Sequence, residues 1–106
     1  MVEIPAEIKD IIRIFLQKLK ESNINIQRTI LFGSYAKSTN NEYSDIDLAL
    51  VSDNFSGNPY LDNEKIRPAK FAASYNIDAH TFTKKEFDEI NLFVKEILKN
   101  GIEFVE

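Results

Sequence analysis

The spacing of apolar residues near the start of the chain predicts an amphipathic helix. They recur every three or four residues with charged residues between them, as expected for a helix with one face on a core. Pro5 stands near the start, where its missing amide hydrogen is harmless, and Ser22 and Asn23 are predicted to end the helix. The apolar positions are Ile4, Ile8, Ile11, Ile12, Phe15, Leu16 and Leu19.

Three shorter runs predict β-strands, because they are rich in apolar and β-branched residues. They cover residues 29–32, 45–51 and 77–82. The turn-rich residues 52–59 predict a surface loop, in which Asp53 is expected to be a solvated turn residue. A short helix is expected around residues 67–75, with Pro68 in its first turn.

The last predicted helix begins near Thr83, which with Glu86 forms a capping box. Its wide apolar face is more often core than interface, although the breadth leaves room for a partner. The helix is expected to end at Asn100 and Gly101 in a left-handed stop, and residues 102–105 to add an edge strand or pack on the sheet. The apolar face consists of Phe87, Ile90, Phe93, Val94, Ile97 and Leu98.

Composition narrows the possible functions. A chain of 106 residues, 43% hydrophobic, can bury one modest core, so we expect a single domain over residues 1–106. The net charge of −4 disfavours a long nucleic acid as partner. The absence of cysteine excludes disulfides and thiolate chemistry, and no segment predicts a signal peptide or membrane span. A soluble cytoplasmic protein is expected.

The candidate chemistry lies in a glycine turn followed by two aspartates. Asp45 and Asp47 should share one face of a strand, while Ile46 and Leu48 point into apolar packing. Two carboxylates on one face repel each other unless a divalent cation lies between them. Gly33 has no side chain, so the backbone there can approach a phosphate closely. Taken alone, Gly33 and Ser34 would be interpreted as an ordinary turn, but the aspartate pair that follows favours a nucleotide-binding site.

The aspartate pair matches several other classes of site less well. A calcium-binding EF-hand loop requires an oxygen ligand and a glycine where this chain has Ala49 and Leu50. Haloacid-dehalogenase-like phosphatases and many glycosyltransferases place the pair after an apolar strand, whereas here it comes before one. A Walker loop would need a Gly-Lys-Ser or Gly-Lys-Thr ending, which is absent. His80, the single histidine, is assigned a structural role because a lone strand histidine is usually only hydrogen-bonded.

The combined pattern resembles the nucleotidyltransferase superfamily that includes DNA polymerase β, and in particular its minimal nucleotidyltransferases. In that family a glycine-serine pair, here Gly33 and Ser34, opens a short helix after the first strand. An Asp-x-Asp, here Asp45 and Asp47, begins the next strand, and a third carboxylate, here Asp78, comes from a later one. The resemblance implies an α/β (α+β) fold, a small mixed sheet flanked by helices in the order αβαβαβα.

The resemblance also implies cofactors and residue roles. Two Mg²⁺ ions would be held by Asp45, Asp47 and Asp78, the catalytic residues, with ATP as the donor. The nucleotide phosphates would be bound by Gly33, Ser34 and Lys37. The family commonly has glycine after the basic residue, whereas this chain has Ser38, so the loop over residues 38–44 is expected to turn less sharply.

The resemblance implies transfer of a nucleoside monophosphate, most often AMP from ATP, to a hydroxyl. Small family members are often paired with a helical HEPN-domain toxin and act as antitoxins that adenylylate its tyrosine, which suggests a hetero-oligomer. Two alternatives stay open: an antitoxin or subunit that neutralises its partner by contact alone, and transfer to a small molecule such as an aminoglycoside.

Overall fold

A computed structural model describes residues 4–41 and 44–105. Within these residues, helices flank a mixed sheet, which confirms the predicted α+β class. None of the described helices combines the length and the hydropathy needed to span a bilayer. The elements are α1 Ala6–Glu21, β1 Arg28–Phe32, β2 Ile46–Val51, α2 Pro59–Ala73, β3 Ile77–Phe82, α3 Lys84–Asp88, α4 Leu92–Asn100 and β4 Ile102–Glu103.

The four strands lie in the order β3-β2-β1-β4. The pairs β1–β2 and β1–β4 are antiparallel, and β2–β3 is parallel, with α2 as the crossover. In this register Asp47 is the neighbour of Asp78 on one side and of Phe32 on the other. The end of β1 and the starts of β2 and β3 therefore meet at one edge of the sheet.

Each face of the sheet has its own apolar core. On one face α1 and α2 cover the inward side chains of β2, such as Leu48, with residues that include Phe15 and Ile66. On the opposite face, α3 and α4 cover Ala49 and neighbouring residues of β1 and β2. Because side chains alternate along a strand, Asp45, Asp47 and Ala49 are directed to the α3–α4 side. The aspartates lie nearer the strand start than Ala49.

The helix α2 is longer than the sequence predicted. It begins at Pro59 and not near residue 67, because the side chain of Asn58 accepts hydrogen bonds from the amides of Tyr60 and Leu61. Pro59 occupies the first turn, where a proline is tolerated, so Pro68 lies inside the helix. The helix continues past this proline, and its buried Ala69 packs in the core. The predicted surface loop is thereby shortened at its end.

Among the described residues between β1 and β2, no helix follows Gly33 and Ser34, so the predicted αβαβαβα order is wrong at this point. Residues 33–38 form successive turns, held by bonds from the Lys37 amide to the Gly33 carbonyl (3.2 Å) and the Thr39 amide to the Ser34 carbonyl (2.9 Å). Left-handed backbone at Gly33 (φ 74°) and Ser38 (φ 57°) bounds the segment at both ends. A right-handed helix cannot extend through such residues. Within the predicted 38–44 loop, Glu42 and Tyr43 lie outside the described residues.

The last predicted helix is divided in two. The capping box of Thr83 and Glu86 is confirmed at the start of α3, but the chain leaves the helix at Glu89, and Asn91 caps α4 through the Val94 amide. The predicted left-handed stop at Gly101 is wrong, since its φ is −77°. A Cβ there would collide with the Ile97 carbonyl and with Ile30, so close packing requires the glycine. The edge strand is confirmed as β4.

Candidate metal and nucleotide site

The core of the candidate site is a pair of carboxylates on adjacent parallel strands. Asp47 on β2 and Asp78 on β3 are register neighbours, so their side chains leave the same face side by side. The predicted alternation is confirmed, because Ile46 and Leu48 are buried while Asp47 is half-buried. The side chain of Asp78 is 54% exposed. A ligand from solvent can therefore reach both carboxylates.

Electrostatics at Asp47 disfavour its charged form. Burial raises the pKa of the Asp47 carboxyl above its usual value, and the nearby Asp78 raises it further through its charge and a hydrogen bond. His80 opposes this shift, and the charge of Asp45 adds a smaller increase in the pKa. A cation bound between Asp47 and Asp78 would reverse this unfavourable effect, because it would stabilise both carboxylates.

Asp45 lies at the margin of this pair. It immediately precedes β2 and is exposed, yet its charge still acts on Asp47. Among the described residues, one set has potential metal-ligand atoms all within 4.8 Å of one another, and its members are Asp47, Asp78 and His80. The structure thus brings two of the three predicted carboxylates together, with Asp45 beside them and His80 in addition.

His80 joins the site, although the sequence assigned it only a structural role. Its Nε2 atom lies 3.4 Å from Oδ2 of Asp78. Its ring contacts Phe32 of β1 and Phe93 of α4, with centroid distances of 5.2 Å and 5.4 Å. The two-residue spacing of Asp78 and His80 on a strand is a signal that they share a face. The aromatic neighbours come from distant parts of the chain and give no local signal.

Gly33 makes room for Asp47. The chain leaves β1 at Gly33 in a left-handed conformation, and a Cβ there would collide with Oδ2 of Asp47 and lie 3.0 Å from its Cγ. Glycine is therefore required both by the backbone angle and by the close approach of the carboxylate. Ser34 follows Gly33 directly and is half-buried in the turn. Turn amides, and not helix amides, therefore adjoin the carboxylate.

Lys37 points to α4. Its ammonium Nζ lies 3.7 Å from Oε1 of Glu96, and both side chains are more than half exposed. Such an exposed pair contributes little stability, so the ammonium can exchange Glu96 for another anion at small cost. Ser38, at the position where the resembling family commonly has glycine, holds a left-handed conformation. The gentler turn expected for residues 38–44 stays a prediction, because Glu42 and Tyr43 lie outside the described residues.

The donor set fits a divalent cation. Two carboxylates and one imidazole offer oxygen and nitrogen ligands, and the partial exposure of Asp78 and His80 leaves space for phosphate oxygens or water on the same ion. The ligand atoms of the three residues lie within 4.8 Å of one another, so shifts of these side chains would bring them to a single ion.

Comparisons with known proteins identify the family and the fold. The family model described as "Nucleotidyltransferase domain" matches residues 8–104. A putative nucleotidyltransferase from Sulfolobus solfataricus superposes with a TM-score of 0.60 at 19% identity, covering 100% of this chain and 92% of that one. A toxin-antitoxin structure with AMP-PNP superposes with a TM-score of 0.58 at 22% identity, covering 93% of this chain and 72% of that one. No curated protein sequence matches significantly.

Proposed function

This chain belongs to the nucleotidyltransferase domain family, and we propose that it transfers a nucleoside monophosphate, AMP from ATP, to a hydroxyl group. The observation that carries the proposal is the pairing of Asp47 with Asp78 on adjacent strands, where two like charges face the same exposed edge. Repulsion between the two carboxylates destabilises the fold when no cation is bound, whereas a cation bound between them would offset this repulsion. We assign Asp45, Asp47 and Asp78 as the ligands of two Mg²⁺ ions.

The residues around the pair have distinct roles in this proposal. Asp47, held in place against Gly33, and Asp45 orient the donor end of the site, while the more exposed Asp78 faces the incoming hydroxyl and can accept its proton. When bound, the cations supply Lewis acidity for the hydroxyl and offset charge on the departing pyrophosphate. The Gly33–Ser34 turn, which adjoins Asp47, and Lys37 of the same loop bind the donor phosphates.

We propose that the acceptor is a tyrosine of a partner HEPN-domain toxin and that the transfer makes this protein an antitoxin. The structural neighbour described as a toxin-antitoxin with AMP-PNP supports this choice. The surface beside the site also supports it, because Ile90, Leu92 and Phe93 are exposed around the start of α4. Phe93 contacts His80, so a protein bound there would lie next to Asp78.

Intact-mass spectrometry of the protein that co-purifies with this chain tests the proposal. The complex is incubated with Mg²⁺ and each nucleoside triphosphate in turn, and we expect the partner to gain one AMP with ATP. The double variant Asp45→Asn/Asp47→Asn should give no gain. Asp53→Asn is a matched control, because Asp53 is an exposed carboxylate at the other end of β2, bonded to Gln27.

Three results would contradict parts of the proposal. A complex that stays intact and neutralised without any nucleotide gain would identify this chain as a binding-only antitoxin. Equal gain in the double variant would show that the carboxylates are not the site. Transfer to an added aminoglycoside, with the partner unmodified, would instead assign a small-molecule acceptor.

A further inference from the structure

We propose that His80 is a direct ligand of the cation held by Asp47 and Asp78, and that this third ligand makes the site prefer a first-row transition-metal ion such as Mn²⁺ over Mg²⁺. The inference rests on the proposed function, since it concerns the same site. It goes beyond that function by adding a nitrogen donor to an all-carboxylate set and by changing which metal the site selects.

The distances within the cluster fit shared coordination. The ligand atoms of Asp47, Asp78 and His80 lie within 4.8 Å of one another, and Nε2 of His80 lies 3.4 Å from Oδ2 of Asp78. A good hydrogen bond between these atoms would be shorter, about 2.7–3.2 Å. Two ligands of one ion, each at about 2.1 Å from the metal, lie about 3.0–3.4 Å apart. The spacing of His80 Nε2 and Asp78 Oδ2 is that of neighbouring ligands, and Asp47 offers a third ligand atom within 4.8 Å of those of the other two residues.

The aromatic contacts fix where the imidazole points. Phe32 and Phe93 both contact the ring, Phe93 in an edge-on arrangement. Phe82, two residues along β3, also contacts Phe93, so the ring of His80 lies in an aromatic group built from three elements. The imidazole is only 34% exposed, and the nitrogen close to Asp78 is Nε2. Little rotamer freedom has to be lost when such a ring binds a metal.

The chemistry of the donors gives the metal preference. Mg²⁺ binds oxygen ligands and keeps several waters, whereas imidazole is a ligand typical of transition metals. Replacing one oxygen position with an imidazole nitrogen therefore favours transition-metal ions over Mg²⁺. Mn²⁺ still accepts the carboxylates of Asp47 and Asp78 and the phosphate oxygens of a nucleotide.

The alternative is that His80 only pairs with Asp78 and orients it. Stability measurements would not separate the two roles, because in both cases a mutation of His80 removes a side chain that contacts Asp78. Electron spin echo spectroscopy of bound Mn²⁺ does separate them, because a directly bound imidazole nitrogen modulates the echo. His80 is the single histidine of the sequence, so in the untagged protein an imidazole signal can come from no other residue.

The experiment titrates the untagged protein with Mn²⁺ and with Mg²⁺, each alone and with AMP-PNP, and records the Mn²⁺ echo spectrum. We expect imidazole nitrogen modulation in the wild type and its loss in His80→Phe, which keeps an aromatic ring between Phe32 and Phe93. The Kd for Mn²⁺ should rise about tenfold or more in this variant, while that for Mg²⁺ changes much less.

Four other outcomes overturn the inference in different ways. Saturable Mn²⁺ binding without nitrogen modulation in the wild type would exclude His80 as a ligand and leave the proposed function standing. Saturable binding of Mg²⁺ but not of Mn²⁺ would overturn the inference alone, whereas absence of saturable binding of both ions, with and without AMP-PNP, would also overturn the proposed metal-dependent transfer. An equal loss of affinity for Mn²⁺ and Mg²⁺ in His80→Phe would contradict the claimed preference.

Discussion

Two loops leave opposite ends of the same sheet, and each contacts an aspartate. The two aspartates differ in what surrounds the carboxylate: hydrogen-bond donors in one case and a second carboxylate in the other. At the loop after β2, the buried carboxylate of Asp62, in the first turn of α2, accepts hydrogen bonds from the Ser56 amide (2.8 Å), the Ser56 hydroxyl (2.9 Å) and the Gly57 amide (3.1 Å) of that loop. In the loop after β1, Gly33 lies against Asp47, whose neighbours include the like charge of Asp78.

The difference shows how one fold can use the same side chain for two purposes. Asp62 is the more buried of the two, yet its carboxylate oxygens accept hydrogen bonds from the loop that precedes α2, and these bonds tie residues 56–57 to the helix. Asp47 is less buried but faces another carboxylate, so burial and Asp78 together raise its pKa. The carboxylate of Asp62 stabilises the fold, whereas the carboxylate of Asp47 faces that of Asp78 and is available to a cation.

The largest expected effect is on transfer. Asp47→Asn removes a cation ligand but no hydrogen bond of the loop, so we expect AMP transfer to fall by about a thousandfold or more while the fold persists. Asp62→Asn should retain transfer in proportion to the folded fraction. Steady-state rates of transfer, divided by the folded fraction from circular dichroism, test the contrast between the two aspartates. Similar losses of transfer per folded molecule in both variants would contradict the separate roles of Asp47 and Asp62.

The next effect is on stability. Asp62→Asn replaces one carboxylate oxygen with an amide that faces backbone donors, so the free energy of unfolding should fall by about 1–3 kcal/mol. Asp47→Asn should not lower it. Urea unfolding of the two variants provides the measurement, and an Asp62→Asn protein as stable as wild type would show that the second carboxylate oxygen of Asp62 contributes little.

The two left-handed glycines sharpen the comparison. Gly33→Ala and Gly57→Ala both place a side chain at positive φ, which costs about 1–2 kcal/mol in either loop. A Cβ at Gly33 also collides with Asp47, whereas a Cβ at Gly57 would meet side-chain atoms of Glu86 and Thr83 at 3.7 and 3.8 Å, which are ordinary contacts. Only Gly33→Ala should therefore weaken cation binding, measured by Mn²⁺ titration. Equal cation affinity in both variants would refute the positioning role of Gly33.

Ser38 provides a smaller test of the loop after β1. It holds φ at 57°, so Ser38→Gly should raise the free energy of unfolding by about 0.5–1 kcal/mol, relief of strain exceeding the entropy cost of glycine. Asn23→Gly is the matched control, since asparagine tolerates its φ of 63° better, and should have less effect. Thermal unfolding measures both; destabilisation by Ser38→Gly would show that the serine side chain holds the loop.

The smallest effect is a difference in pH dependence. Because the folded-state pKa of Asp47 is raised, its contribution to stability is fully present below the unfolded pKa near 3.8 and is lost as pH rises through the folded pKa. Without divalent ions, wild type should thus lose stability relative to Asp47→Asn as pH rises above about 4. Glu103 has the opposite sign, since its bond with Arg28 lowers its pKa. If the difference in unfolding free energy between wild type and Asp47→Asn did not change with pH, the charged form of Asp47 would not be disfavoured in the folded protein.

Local sequence pattern was sufficient for some features of the fold. The spacing of apolar residues alone predicts helix α1 and the three longer strands. It also predicts that Asp47 alternates with buried neighbours along β2. The pattern was insufficient where distant residues decide the outcome. The left-handed Ser38 bounds turns where a helix was predicted, and the partners of Asp62 become visible only once the loop folds back on α2. His80 likewise joins the site through packing by Phe32 and Phe93.

Calorimetric titration of AMP-PNP into wild type and Asp45→Asn/Asp47→Asn, with and without a divalent cation, tests the metal-nucleotide site with the fewest assumptions. It needs no acceptor, so it isolates the carboxylate site. We predict saturable binding by wild type that requires Mg²⁺ or Mn²⁺ and is abolished in the double variant. Binding of equal strength in both proteins, or binding by wild type that does not depend on a divalent cation, would contradict the assignment of these carboxylates to a metal-nucleotide site.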